Sequence, residues 1–154
     1  MKIVVAFLMS VICMQLFACN ANNAVVQINN ANSNSNTDSI KMKITIGTNS
    51  FTVILYNNTA AATLREGLPM TINMTELNGN EKYFDLPNAL PANASNPKTI
   101  QAGDLMLYGA NTLVVFYKNF STSYSYTPIG RIENPSGLAA ALGSGNVTVT
   151  FEAD

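Results

Sequence analysis

Between residues 41 and 151 the chain repeatedly places apolar side chains on every second position. Met42, Ile44 and Ile46 alternate with Lys43 and Thr45, and after Gly47-Thr48-Asn49-Ser50 the pattern resumes at Phe51, Val53 and Leu55. It returns at Met70, Ile72 and Met74, at Leu105 and Leu107, at Leu113, Val115 and Tyr117, and at Val147, Val149 and Phe151. Successive side chains of a strand point to opposite faces, so a period of two marks strands with one face buried. Many short strands of this kind imply antiparallel sheets closed as a barrel or stacked as a sandwich. The expected class is therefore mainly β.

Two short helices interrupt the strands. Asn58 or Thr59 can cap residues 60–66, with Gly67 placed to end the helix and Pro69 blocking its extension. Asn134 can cap a second helix, with Pro135 at its first position, residues 137–142 following and Gly143 just past its end. Their alanine-rich faces suit close packing on a sheet or at a barrel end. Two connections stand out. Residues 86–102 carry Pro87, Pro91 and Pro97 with little periodicity, a length usually functional or disordered. Residues 119–127 set Phe120, Tyr124 and Tyr126 among serines and threonines. Tyrosine among small hydroxyls is a frequent recognition surface; the same rings could simply cover a barrel rim.

Composition excludes several functions. The 154 residues include no His, which removes serine–histidine triads, cysteine–histidine pairs and His-based zinc sites. Charged residues make up 11% and the net charge is -1, so there is no field to recruit nucleic acid. No acidic run has calcium-loop spacing, and Gly143-Ser144-Gly145 follows a helix where a phosphate cradle would precede one. No cofactor and no metal is expected.

The first residues predict export. Met1 and Lys2 precede an apolar run over residues 3–12, about half of the roughly 20 residues that span a membrane. The run leads to Leu16-Phe17-Ala18-Cys19, which resembles a bacterial lipobox. On that resemblance residues 1–18 are a lipoprotein signal and Cys19 is the acylated first residue of the mature chain. The alternative is an ordinary secretory signal in which Cys19 is incidental. Either way Cys13 is discarded, and if Cys19 is acylated no thiol remains for disulfide or metal chemistry. Residues 19–40 are rich in Asn, uncharged over most of their length and poor in large apolar groups, as a flexible tether would be. Asp38-Ser39-Ile40 resembles a short bacterial O-glycosylation motif. The expected location is the bacterial cell envelope, anchored to a membrane and facing the periplasm, with residues 41–154 as the folded domain. That body is large enough to bury about two thirds of its surface, so it needs no disulfide.

Over residues 42–152 the order of elements and several short motifs resemble the cyclophilin-like fold family of small bacterial and archaeal proteins. The hairpin and the alanine-rich helix ending in Leu68-Pro69 come first, then Gly79-Asn80-Glu81-Lys82-Tyr83-Phe84. Gly103-Asp104-Leu105-Met106-Leu107-Tyr108 follows the long connection, and Pro128-Ile129-Gly130-Arg131-Ile132 precedes the last helix. The resemblance implies a closed eight-stranded antiparallel barrel with a helix at each end. One position departs: the family often has glycine after the Phe of the central strand, where this chain has Tyr117 and Lys118.

True cyclophilins are prolyl isomerases that place an arginine near the substrate amide, but the segments carrying that arginine and its Gln, His and Trp neighbours have no counterpart here. Arg65 and Arg131 are the two arginines present. Arg65 suits a helix C-terminus, and Arg131 is either a substitute for the missing arginine or a surface cation paired with Glu133. The expected function is a non-catalytic binding module for an unknown protein, peptide or small molecule. Its candidate surface comprises Tyr83, Phe84, Phe116, Tyr124, Tyr126 and Arg131. Prolyl isomerisation and small-ligand carriage are the alternatives.

Overall fold

The computed structural model describes residues 39–154. Cys19, the signal and most of the tether lie outside the described residues. Ten strands and two helices follow in the order β1 (Lys41–Ile46), β2 (Asn49–Leu55), α1 (Thr59–Glu66), β3 (Met70–Leu77) and β4 (Glu81–Asp85). Then come β5 (Thr99–Ile100), β6 (Asp104–Tyr108), β7 (Thr112–Phe116), β8 (Phe120–Ser121), β9 (Tyr126–Ile132), α2 (Leu138–Leu142) and β10 (Val147–Ala153). Eight strands close an antiparallel barrel in the order β1-β10-β3-β4-β7-β6-β9-β2. The remaining two, β5 and β8, pair with each other as a separate ribbon. Among the described residues no helix is long and apolar enough to cross a membrane.

The period-two residues fill the interior. Met42, Ile44, Ile46, Val53, Met74, Val149 and Phe151 are buried, joined by Ala60, Ala61 and Leu64 of α1 and Leu138 and Leu142 of α2. Register explains the fit: Ile44 pairs with Phe51 on one side and Phe151 on the other, and cross-strand partners share a face. Asn58 caps α1 through its side-chain oxygen, which accepts from the Ala61 N–H at 2.9 Å. The same amide donates to the Pro128 carbonyl at 2.9 Å, tying the helix to β9.

Three features differ from the sequence reading. The β1–β2 turn is only Gly47-Thr48, since Ile46 already pairs with Asn49. Helix α2 begins at Leu138, not beside Pro135. Gly137 takes φ 81°, outside helical space, and Asn134 accepts from the Ser136 N–H in a local turn. Strands β6 and β7 are not wet on one face. Leu105, Met106 and Leu107, and likewise Leu113, Val114, Val115 and Phe116, are all buried. Continuous burial of this kind needs cover on both sides of the sheet, and here the β5–β8 ribbon supplies the outer cover. Ile100, Met106, Val114, Phe116 and Tyr126 form a second apolar cluster beneath it, with Tyr83 and Phe120 packed alongside.

Candidate functional site: an aromatic groove on the outer barrel wall

Register sets out the outer wall row by row. Asp85 pairs with Thr112, Thr112 with Tyr108, and Tyr108 with Tyr126. One step along, Tyr83 pairs with Val114 and Val114 with Met106; a step further, Glu81 pairs with Phe116. The proline-bearing connection and the aromatic loop meet over this wall. Thr99 pairs with Ser121 and Ile100 with Phe120. Ser95 and Tyr126 exchange N–H···O bonds of 3.0 Å in each direction. Asn96 donates to the Ser123 carbonyl at 2.9 Å, and the Ala102 N–H donates to Asn119 at 2.7 Å.

Beside the ribbon lies a recess of about 440 Å³. Its floor is the outward face of β4 and β7, through Glu81, Tyr83, Asp85, Thr112 and Val114. Tyr108, Phe120, Tyr124 and Tyr126 form one side, and the β3–β4 turn, with Leu77, Asn78 and Asn80, forms the other. Four of the six tyrosines therefore line it. The rings brace each other. Tyr108 meets Tyr124 edge-on at 6.1 Å and Tyr126 at 5.7 Å, and Phe116 lies behind, 5.4 Å from Tyr126 and 5.7 Å from Phe120. Leu77, Tyr108 and Tyr124 stay exposed, Tyr124 most of all at 61%. Tyr126 and Phe116 are buried, Tyr83 and Phe120 half-buried, and the two rings left open to solvent, Tyr108 and Tyr124, with Leu77 form an apolar patch of the kind that marks a surface for contact.

Charge in the groove is one-sided. Glu81 and Asp85 line it, while no Lys or Arg does. Asp85 accepts from the Thr112 hydroxyl at 2.6 Å. Burial and the neighbouring Glu76 charge raise the Glu81 pKa, because neither gives its anion positive compensation. Burial, with the Glu81 charge behind it, also raises the Tyr126 phenol. The Asn80 side-chain oxygen is buried without a hydrogen-bond partner.

Of the residues singled out from sequence, Tyr83, Tyr124 and Tyr126 come together in this groove. Phe116 does not reach the surface: it is 0% exposed and supports the rings from beneath. Phe84 packs against the barrel core, because its neighbour Tyr83 takes the outward face. Arg131 does not line the groove. It donates to Gln101 and lies 3.9 Å from Asp104, while Glu133 is 3.9 Å from Lys41. Tyr108, Glu81 and Asp85 were missed as site residues. The unbroken apolar runs of β6 and β7 were the available signal, since they announce a covered outer face.

The departure at Tyr117 belongs to a different feature, a polar cluster within the barrel. Lys82 is 0% exposed, and its ammonium donates to Glu76, to Gly143 O at 2.9 Å and to Gly145 O at 2.6 Å. Three donors thus meet three acceptors. The Tyr117 hydroxyl lies 2.8 and 2.9 Å from the Glu76 oxygens, and Lys82 lies 5.5 Å from the Tyr117 ring centroid. Every member is matched, so the cluster fastens the α2–β10 connection to β3 and β4. Among the described residues no His, Cys, Asp and Glu side chains group as a metal site.

The family model for the Cyclophilin-like family matches residues 44–152. The chain belongs to that family. A solved structure similar to this cyclophilin-like barrel is the solution structure of a hypothetical protein from Archaeoglobus fulgidus. It has 17% identity and a TM-score of 0.53, over 75% of this chain and 95% of that one. At that identity the likeness is one of fold. No curated protein matches the chain.

Proposed function

We propose that this cyclophilin-like chain is a binding module of the bacterial cell envelope, anchored by acylated Cys19, that holds its ligand in the aromatic groove. One observation carries the reading: four of six tyrosines line a single recess of about 440 Å³ on the barrel's outer wall. That volume falls within the roughly 300–1,000 Å³ of typical ligand sites. Tyr83, Tyr108 and Tyr126 stand on paired strands, and Tyr108 braces the loop residue Tyr124, so little side-chain entropy is lost when a ligand seats. Prolyl isomerisation draws no support from the groove, because Arg131 is held beside Gln101 and Asp104 and does not line it.

Native mass spectrometry of the full-length chain, purified from its own envelope, tests the groove. The wild type should carry a bound mass that Tyr124→Ala loses while keeping its far-ultraviolet spectrum. An adduct equally retained by Tyr124→Ala, or none in either protein, overturns the assignment. For the anchor, clickable palmitate should label the wild type and not Cys19→Ser, and membrane fractionation should be lost with the label. An unlabelled wild-type chain removes the anchor from the proposal.

A further inference from the structure

The groove's chemistry narrows what it can hold. Its rings present apolar surface with negative π-faces, and its ionisable groups besides phenols are the carboxyls of Glu81 and Asp85. The nearby Lys118 directs its ammonium over the Tyr117 ring, 5.9 Å from the centroid, and is not part of the lining. Tyr108 and Tyr124 stand at 90° to each other, so they offer two walls to one small group. An anion would meet two like charges here with no cation to receive it. A neutral apolar ligand would use the rings and leave Glu81 partly buried beside Glu76 without compensation.

We propose, resting on the groove as a binding site, that it recognises an alkylammonium cation, with tyrosine rings around the head and Glu81 and Asp85 carrying the opposite charge. Cation–π attraction is strongest where water is excluded, and quaternary ammonium groups are recurrent ligands of aromatic cages.

Choline and its uncharged isostere 3,3-dimethylbutan-1-ol separate charge from shape. The full-length chain labelled on its tyrosine rings gives six reporters, of which Tyr83, Tyr108, Tyr124 and Tyr126 line the groove and Tyr56 and Tyr117 do not. Choline should shift the four groove tyrosines and leave the other two still, binding about tenfold or more tighter than the alcohol. The double variant Glu81→Gln with Asp85→Asn should lose that preference, and Tyr124→Ala should weaken both probes. An unmoved Tyr56 signal and an unchanged far-ultraviolet spectrum would show that these variants keep their fold. Equal binding of both probes at the groove overturns cation recognition and leaves the groove standing. Choline that shifts none of the four, or that binds the double variant as tightly as the wild type, overturns it as well. The groove itself is then judged by the mass carried by wild type and Tyr124→Ala.

Discussion

Ile100 pairs with Phe120 across the β5–β8 ribbon, although one sits at the end of a proline-containing connection and the other opens an aromatic loop. The pairing buries Ile100 completely and brings the Phe120 ring to 5.7 Å from Phe116. Ile100→Ala should therefore lose about 2–5 kcal/mol in urea unfolding, as for other fully buried aliphatic side chains. Amide exchange should quicken at Thr99, Ile100 and Phe120 before it does in β1 or β10.

Lys82 makes a different kind of contribution. Removing the fully buried Lys82 leaves Glu76, itself partly buried, and the Gly143 and Gly145 carbonyls without their donor. Lys82→Ala should thus destabilise by about 3–5 kcal/mol. The double change Lys82→Met with Glu76→Gln should be markedly less costly than Lys82→Ala, because it removes both charges and keeps the side-chain volume. Denaturation of the single and double variants measures this.

Glu76 sets an acid limit. Burial alone would push its carboxyl up, but hydrogen bonds from Lys82, Tyr117 and the Gly79 N–H, with the Lys82 charge, hold it below the ordinary value. A folded pKa below the unfolded one gives stability that is present at neutral pH and lost as pH falls through the folded value. Glu76→Gln should flatten the acid side of the stability curve. Glu81 is raised and has the opposite sign, so Glu81→Gln should not flatten that limb. At the alkaline end, burial and the bond to Glu76 push the Tyr117 phenol up to about 12. Its contribution is full below the ordinary phenol value and fades as pH rises towards about 12; ultraviolet titration should find Tyr117 ionising late, with Tyr126 raised as well.

Gly130 closes the barrel. It pairs with Leu55 at the β2–β9 seam, where an added Cβ would lie 2.6 Å from the Ile54 carbonyl oxygen and 3.0 Å from a Val53 methyl. The clash is with backbone, which cannot swing aside, so Gly130→Ala should lower stability by about 1–3 kcal/mol or more. Thermal unfolding of that variant against Gly145→Ala, where an added Cβ meets nothing within 4 Å, isolates the effect.

The barrel was legible because its interior obeys local rules. Met42, Ile44, Ile46, Val149 and Phe151 announce their face by spacing alone, and Asn58 and Gly67 mark the bounds of α1. Strand β4 was harder to read, because Lys82 occupies an inward position and interrupts the apolar alternation. Its burial depends on carbonyls at Gly143 and Gly145, distant in sequence and supplied only by the fold. The groove was legible in part. Tyrosine density near residue 124 pointed towards it, but Phe84 and Phe116 could not be assigned to a face without register. The pairing of residues 99–100 with 120–121 leaves no periodic trace in segments so short. Arg131 looked close to the tyrosines in sequence, yet the β9 register sets it opposite Asp104, while Tyr126, five residues earlier, faces Tyr108.

Photo-crosslinking in the living cell tests the central claim most directly. A benzophenone amino acid replaces Tyr124 in the groove or, as control, Tyr56, which is exposed at 42% but lies outside it. Irradiation should produce a discrete adduct from position 124 and none of that mass from position 56. The same adduct from both positions, or from position 56 alone, would contradict the assignment of the aromatic groove as the binding face.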